Sequence, residues 1–265
     1  MHGLLVAPFG SELPILTASA VRREPTVHYL AAIERVEEMG RLHDQARRRK
    51  SMLIFGREGV GKSRLLERFV KTQPLALYIN QTGSSRDLML ALVESLCSTG
   101  KRELRLPADP KTLSTSSLKG MVQRALDQIP FLLVLDHLAG PSRVVTGMIK
   151  EMNYYGRTPV FLAARIRHME DIGTLQPMCA DRSEQVELKN LQAAVALEFA
   201  QREAERTGLW ASNLDDALHS LVEWSEGNPG SILSMLKMAQ WSRYRTDDQI
   251  KAHVLYLDNR MGRRE

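Results

Sequence analysis

The run Gly56-Arg57-Glu58-Gly59-Val60-Gly61-Lys62-Ser63 limits what this chain can fold into more than any other feature of its sequence. A glycine, four free positions and then Gly-Lys-Ser is the spacing of a phosphate-binding loop, which works only between a strand and a helix. Both flanks are present. Ser51-Met52-Leu53-Ile54-Phe55 reads as a short buried strand, and Arg64 to Val70 has the apolar spacing of a helix. A chance glycine-rich turn would match the motif without these neighbours. The glycines let the backbone wrap closely round an anion with its N–H groups turned inward, and the helix starting at Lys62 adds the positive end of its dipole. The cradle is expected to run from Gly56 to Arg64, with Lys62 reaching the β- and γ-phosphates and Ser63 ligating Mg²⁺.

The 265 residues allow one large domain, or a large one with a small companion. With 36 Lys+Arg against 31 Asp+Glu the net charge is +5. This permits a nucleic-acid partner without demanding one, since a solvated basic surface explains it as well. Cys97 and Cys179 are far apart and lack metal-ligand or CxxC spacing, so they read as reduced thiols of a cytoplasmic protein. Residues 1–25 form an N-terminal extension. Its apolar stretches are broken by Pro8, Gly10 and Pro14 and lack a basic start, which fits neither a signal peptide nor a membrane span.

Residues 26–190 read as an α/β core. From Thr26 to Lys50 the apolar Val27, Leu30, Ile33, Val36 and Met39 recur at helical spacing, ending in Arg47-Arg48-Arg49-Lys50. That basic run either complements the helix dipole or touches nucleic acid. A second strand is expected at Leu75 to Asn80, a helix capped by Ser84 or Ser85 up to Gly100, a loop from Lys101 to Leu113, and a helix from Ser116 to Gln128. Phe131-Leu132-Leu133-Val134-Leu135-Asp136 is a continuous apolar run ending in a carboxylate. A central strand buried on both faces delivers an acid to the sheet's C-terminal edge in this way, and after a phosphate loop the acid is placed to serve Mg²⁺. A helix over Arg143 to Tyr155 leads to a fourth strand, Thr158 to Ala164, which ends at Arg165. Of Arg165 and Arg167, Arg165 is the candidate to face a γ-phosphate, because it stands directly at the strand's end. Ser183 to Leu188 reads as a short strand at or near an edge, with Arg182 before it. Residues 191–265 are expected to be a helical lid: Leu191 to Thr207, Leu214 to Glu226, Pro229 to Tyr244, and Asp247 to about Arg260, with Gly227-Asn228-Pro229-Gly230 punctuating the middle.

The phosphate loop, the strand-ending Asp136, a further strand between them in sequence and the helical C-terminal segment together resemble AAA+ ATPases over about Thr26 to Tyr244. The details look most like the branch shared by STAND-type signalling NTPases and small bacterial AAA+ regulators, including transposon-encoded ones. The resemblance implies a three-layer parallel sheet with the phosphate-loop strand near its middle. It also implies ATP with Mg²⁺ between sheet and lid, and activity tied to assembly into homo-oligomers. Arg165 matches the strand-end sensor arginine of that branch, Gly227-Asn228-Pro229 its Gly-x-Pro lid turn, and Arg182 the place of an arginine that reaches a neighbour's ATP. One departure stands out: the residue after Asp136 is normally an acid that orients water, and here it is His137, which points to slow hydrolysis.

The expected function is therefore an ATP-dependent switch or regulator of low turnover that controls a partner protein. A DNA-associated ATPase of the transposition-regulator kind, coating duplex DNA through its phosphates, is the alternative. A small-molecule kinase is a second, disfavoured because its lid would sit within the α/β core. The preference for ATP over GTP rests on the family resemblance alone.

Overall fold

A strand with no polar residue before its terminal aspartate must be covered on both faces, and the run from Phe131 to Asp136 is so covered. In a computed structural model that describes residues 32–80, 82–100, 109–154 and 157–262, it lies inside a five-stranded sheet. The strands are β1 (Met52–Phe55), β2 (Ala76–Ile79), β3 (Leu132–Leu138), β4 (Val160–Ala164) and β5 (Gln185–Glu187), in the order β2-β3-β4-β1-β5. Every pairing is parallel. The phosphate-loop strand β1 is thus flanked by β4 and β5, one place in from the edge.

Alternation along the strands builds three layers. Leu53, Leu133, Leu135 and Leu162 face one side, under α3 (Ser85–Ser98), α4 (Thr115–Gln128) and α5 (Arg143–Tyr154). Their neighbours Met52, Ile54, Val134, Phe161 and Ala163 face the other, under α1 (Val36–Arg47) and α2 (Lys62–Lys71). Ser84 caps α3 through a reciprocal pair with Asp87, the first of the two serines expected to do so.

The expected first helix is interrupted. Ala32–Glu34 are helical, Arg35 adopts φ 53, and α1 starts only at Val36, which is 55% exposed. The physical cause is the Arg35 guanidinium, which donates to the carbonyls of Val60 and Lys189 and fixes the chain's direction there. Val27 and Leu30, the extension over 1–25, the loop over 101–108, Gln81, Tyr155, Arg263 and Arg264 lie outside the described residues.

After β5 a separate apolar cluster forms around Phe199, Leu218, Leu221, Ile232, Met235 and Tyr244. It is built from α7 (Ala193–Thr207), α8 (Leu214–Trp224), α9 (Pro229–Met238) and α10 (Ala252–Met261); the short α6 (Met169–Ile172) precedes β5. Two expected boundaries change here. The third helix stops at Met238, and the stretch expected to start the last helix at Asp247 is a hairpin, Arg245–Thr246 against Gln249–Ile250. A two-residue turn through Asp247, at φ 53, has the backbone twist a hairpin needs. Asn213 holds the hairpin by exchanging hydrogen bonds with the Ile250 backbone at 3.0 and 2.8 Å. No helix among the described residues is long and apolar enough to cross a membrane.

Phe69 of α2 is fully buried and stacks on Phe161 of β4 with ring centroids 5.3 Å apart. Phe69→Ala should remove about 3–5 kcal/mol of stability, read as a lower urea midpoint at unchanged m-value.

Candidate functional site

Because β1 and β4 run in parallel with Phe55 opposite Ala164, the residues that follow both strands emerge at one sheet edge. They line a cleft with Glu58, Gly61, Lys62, Ser63, His137 and Arg165 on its walls. Gly61 enters α2 at φ 103, a conformation glycine adopts without strain, and offers no side chain to cap the helix. The first N–H groups of α2 therefore point into the cleft, which suits an anion. Lys62 Nζ donates to Gly56 O at 2.6 Å and Arg57 O at 3.1 Å. Burial lowers the ammonium's pKa, against the opposing pull of Asp136, Glu58 and Asp171.

The loop is joined directly to the lid. Gly230 N donates to Gly59 O at 2.9 Å, and a Cβ on Gly230 would lie 2.6 Å from Gly59 Cα. Asn228 caps α9 by accepting from Ser231 N, and its Nδ2 donates to Glu58 O at 2.9 Å. Pro229 follows as the first residue of α9. Arg57 pairs with Glu226 across the same gap.

Asp136, 1% exposed, is held from both sides. Its Oδ2 accepts from the Tyr78 hydroxyl at 2.8 Å and its Oδ1 from His137 N at 2.8 Å. Burial, and then the hydrogen bond to Asp136, push the Tyr78 phenol far above its ordinary pKa, so it remains a donor. The pairing of β3 with β4 shifts register between Leu135 and Leu138, and His137 sits there at φ 51. This bulge turns His137 toward the face of its neighbour: Nε2 is 3.3 Å from Ser63 Oγ and 3.7 Å from Asp136 Oδ2. Among the described residues no three His, Cys, Asp or Glu gather to hold a metal by themselves. The hydroxyl and carboxylate of Ser63 and Asp136 are hard oxygen donors, which fit Mg²⁺ when a ligand's phosphates complete the shell.

Arg165 lines the cleft, 66% exposed, and is anchored from behind by Asp171. Asp171 accepts from Arg165 Nη2 at 3.1 Å, from Arg165 N at 2.9 Å and from Ile166 N at 3.0 Å. Burial opposes ionisation of this carboxyl, yet Arg165 and the two backbone donors outweigh it and hold its pKa below the usual carboxylate range. Arg182 is not brought to the cleft. It starts a 3₁₀ turn ahead of β5, at the end of the sheet opposite the loop, where its carbonyl accepts from Arg41.

A second, apolar lobe continues the cleft past Gly59, Gly61 and Arg64. Ile33, Leu191, Phe199, Pro229 and Leu233 line it. Sequence reasoning reached Pro229 but missed the others, as it missed Tyr78, Asp171 and Gly230. Residues drawn from the N-terminal segment, the core and the lid share no local pattern. The nearest thing to a signal is Tyr78, on the strand that pairs with the Asp136 strand.

Asp171→Asn keeps one oxygen for the two backbone donors but turns an amide NH2 toward Arg165, which loses its anchor, at roughly 1–3 kcal/mol by urea denaturation at neutral pH. A carboxyl with a depressed folded pKa contributes its stability above the unfolded pKa and loses it as pH falls through the folded one. The gap between wild type and variant should therefore close as pH falls below the ordinary carboxylate range and through the lower folded pKa.

Residues 45–139 match the family model of the AAA domain. Three solved structures are similar. A Walker-type ATPase of Pyrococcus abyssi is 18% identical, with a TM-score of 0.55 over 86% of this chain and 72% of that one. The ORC1 protein of Aeropyrum pernix in complex with DNA is 15% identical, with 0.59 over 86% and 65%. Drosophila ORC bound to DNA is 12% identical, with 0.53 over 96% and 70%. No curated protein matches the sequence significantly. At such identities the likeness speaks for the fold, and there it agrees with the five-stranded parallel sheet, its flanking helices and the loop between β1 and α2. The chain thus has the P-loop fold of the AAA+ ATPases, and its residues 45–139 match the AAA domain.

Proposed function

We propose that the protein is an ATP-binding switch of low turnover that controls a partner protein through nucleotide-dependent movement of its lid and assembly with further copies. The observation that carries this reading is the pair of hydrogen bonds from Gly230 N and Asn228 Nδ2 to the carbonyls of Gly59 and Glu58. A phosphate-binding loop so tied cannot rearrange round an anion without displacing the start of α9.

In this reading the cradle from Gly56 to Arg64 and Lys62 hold the phosphates. Ser63 and Asp136 hold Mg²⁺, which would supply charge neutralisation at the β- and γ-phosphates. The apolar lobe takes the base, and Arg165 meets the γ-phosphate. His137 in place of an acid leaves the attacking water without a strong proton acceptor. Turnover should therefore lie well below the ~10 s⁻¹ typical of enzymes, and a long-lived bound state suits a switch. The last strand precedes the lid in sequence, which is not the arrangement of a small-molecule kinase.

The DNA-associated reading draws on the two ORC structures solved with DNA. Against it, the basic run is largely occupied within the chain: Arg47 pairs with Asp44, Arg49 donates to the carbonyls of Pro130 and Arg157, and Lys50 pairs with Glu184. Steeply salt-dependent binding to random duplex would favour DNA; no binding at low salt would leave the switch.

Lys62→Ala should raise the Kd for ATP by a hundredfold or more, since charge-assisted contacts to phosphate are lost, while the melting temperature without nucleotide stays within a few degrees. In wild type, ATP should alter amide exchange at 228–232, and Lys62→Ala should abolish that change. Wild-type affinity in the variant would overturn the reading.

Arg182, on the far side of the sheet from its own loop, can serve a γ-phosphate only in a neighbouring copy. Specific activity should therefore rise with protein concentration, and Arg182→Ala should lower it about tenfold or more with nucleotide affinity unchanged. Activity per molecule that stays flat across a dilution series would remove this role.

A further inference from the structure

The histidine that replaces the expected acid is placed in a way that the low-turnover reading does not require. In a regular strand the side chains of Asp136 and His137 would leave opposite faces of the sheet. Here a register shift and a left-handed backbone at His137, uncommon for any residue with a side chain, bring the ring beside both Ser63 and Asp136. The bond from His137 N to Asp136 Oδ1 holds the kink in place. Backbone strain of this kind persists where the surroundings over-determine it, and such places cluster at functional sites.

The distances give the kink a use. Two ligands about 2.1–2.2 Å from one ion stand roughly 3.0–3.6 Å apart at octahedral to tetrahedral angles. His137 Nε2 lies 3.3 Å from Ser63 Oγ, inside that range, and 3.7 Å from Asp136 Oδ2, just beyond it and within reach of a small rotation of the exposed ring. With 65% of its side chain exposed, the ring is open to the cleft. Tyr78 and His137 N each engage one oxygen of Asp136 and leave further lone pairs on the carboxylate.

We propose that His137 is a third protein ligand to the nucleotide's metal ion, and that the site consequently takes Mn²⁺ or Co²⁺ ahead of Mg²⁺. This rests on the nucleotide-binding reading above and refines its metal. Mg²⁺ is hard, prefers oxygen and demands near-ideal octahedral geometry. Imidazole nitrogen instead favours the later first-row ions, whose affinity for mixed nitrogen and oxygen sites rises from Mn²⁺ to Co²⁺. Ser63 and Asp136 alone, both oxygen donors, would confer a much weaker preference.

The test uses the full chain and a fluorescent ATP analogue, titrated without metal and with Mg²⁺, Mn²⁺ or Co²⁺. Mn²⁺ and Co²⁺ should tighten nucleotide binding about tenfold more than Mg²⁺ does. His137→Asn removes the imidazole and keeps a residue that tolerates the left-handed backbone. It should bring the three ions within about twofold to threefold of one another, chiefly by weakening Mn²⁺ and Co²⁺. Electron-nuclear double resonance on the Mn²⁺-nucleotide complex of ¹⁵N-histidine-labelled protein should show a nitrogen coupling that the variant lacks. Equal tightening by Mg²⁺ and Mn²⁺ in wild type, or bound Mn²⁺ without a ¹⁵N coupling, overturns the proposal and leaves the nucleotide reading intact. Failure to bind the analogue with any ion overturns the nucleotide reading, and this proposal with it.

Discussion

The contact between Gly59 and Gly230 is the constraint on which the arrangement of sheet and lid depends. Two backbones meet there at hydrogen-bonding distance, Gly230 N to Gly59 O at 2.9 Å, with no room for a Cβ on either side: one on Gly59 would lie 2.6 Å from Asn228 Oδ1. Asn228 completes the junction because its amide works in both directions, capping α9 through its oxygen and holding Glu58 O through its nitrogen. From this point α9 carries Ile232, Met235 and Leu236 into the lid core. The lid is therefore fastened by its own first turn to the loop that most constrains the core. Side-chain contacts across the gap could slide, but a backbone hydrogen bond between two glycines ties the first turn of α9 to the loop at one point.

The polar edge of the sheet follows a similar economy, in which each polar group at the cleft is held by a fixed hydrogen-bond partner. Lys62 rests on loop carbonyls, Asp136 on Tyr78, and Arg165 on Asp171. Asp136 and Asp171 are both nearly inaccessible, and each accepts backbone N–H groups as well as a side-chain donor. A carboxylate held in this way cannot swing, so the cation or donor in front of it is positioned before any ligand arrives.

What the sequence made legible was whatever a contiguous stretch carries. The phosphate loop, the apolar strands, Asp136 at a strand end and the Gly227-Asn228-Pro229 turn all announce themselves within a few residues, and the structure places each at the cleft or beside it. The break at Arg35 was hidden because helical spacing continues across it, and only a guanidinium reaching Val60 and Lys189, distant in sequence, interrupts the helix. The hairpin at Arg245 to Ile250 was hidden because two-residue strands have no period to detect; its support is Asn213, more than thirty residues earlier. The bulge at His137 was invisible for another reason. A histidine after an aspartate reads as a change of chemistry, whereas the register shift that aims it belongs to the pairing of β3 with β4.

The apolar lobe bears on how a ligand could move this lid. A ligand shifts a conformational equilibrium only by the difference between its affinities for the two states. Phosphate contacts reach that difference only through the clasp at Gly59 and Gly230, because the loop and Lys62 belong to the core. The apolar lobe is different: Ile33 comes from the segment before α1, Leu191 from the junction after β5, and Phe199, Pro229 and Leu233 from the lid. A group seated there touches both bodies and loses part of its contact if they separate. In the proposed function the phosphates would thus act on the lid through the loop, and the base by touching both bodies. The clasp at Gly59 and Gly230 then decides the direction of the movement, since the loop's response to the phosphates is transmitted to the same first turn of α9 that walls the lobe for the base.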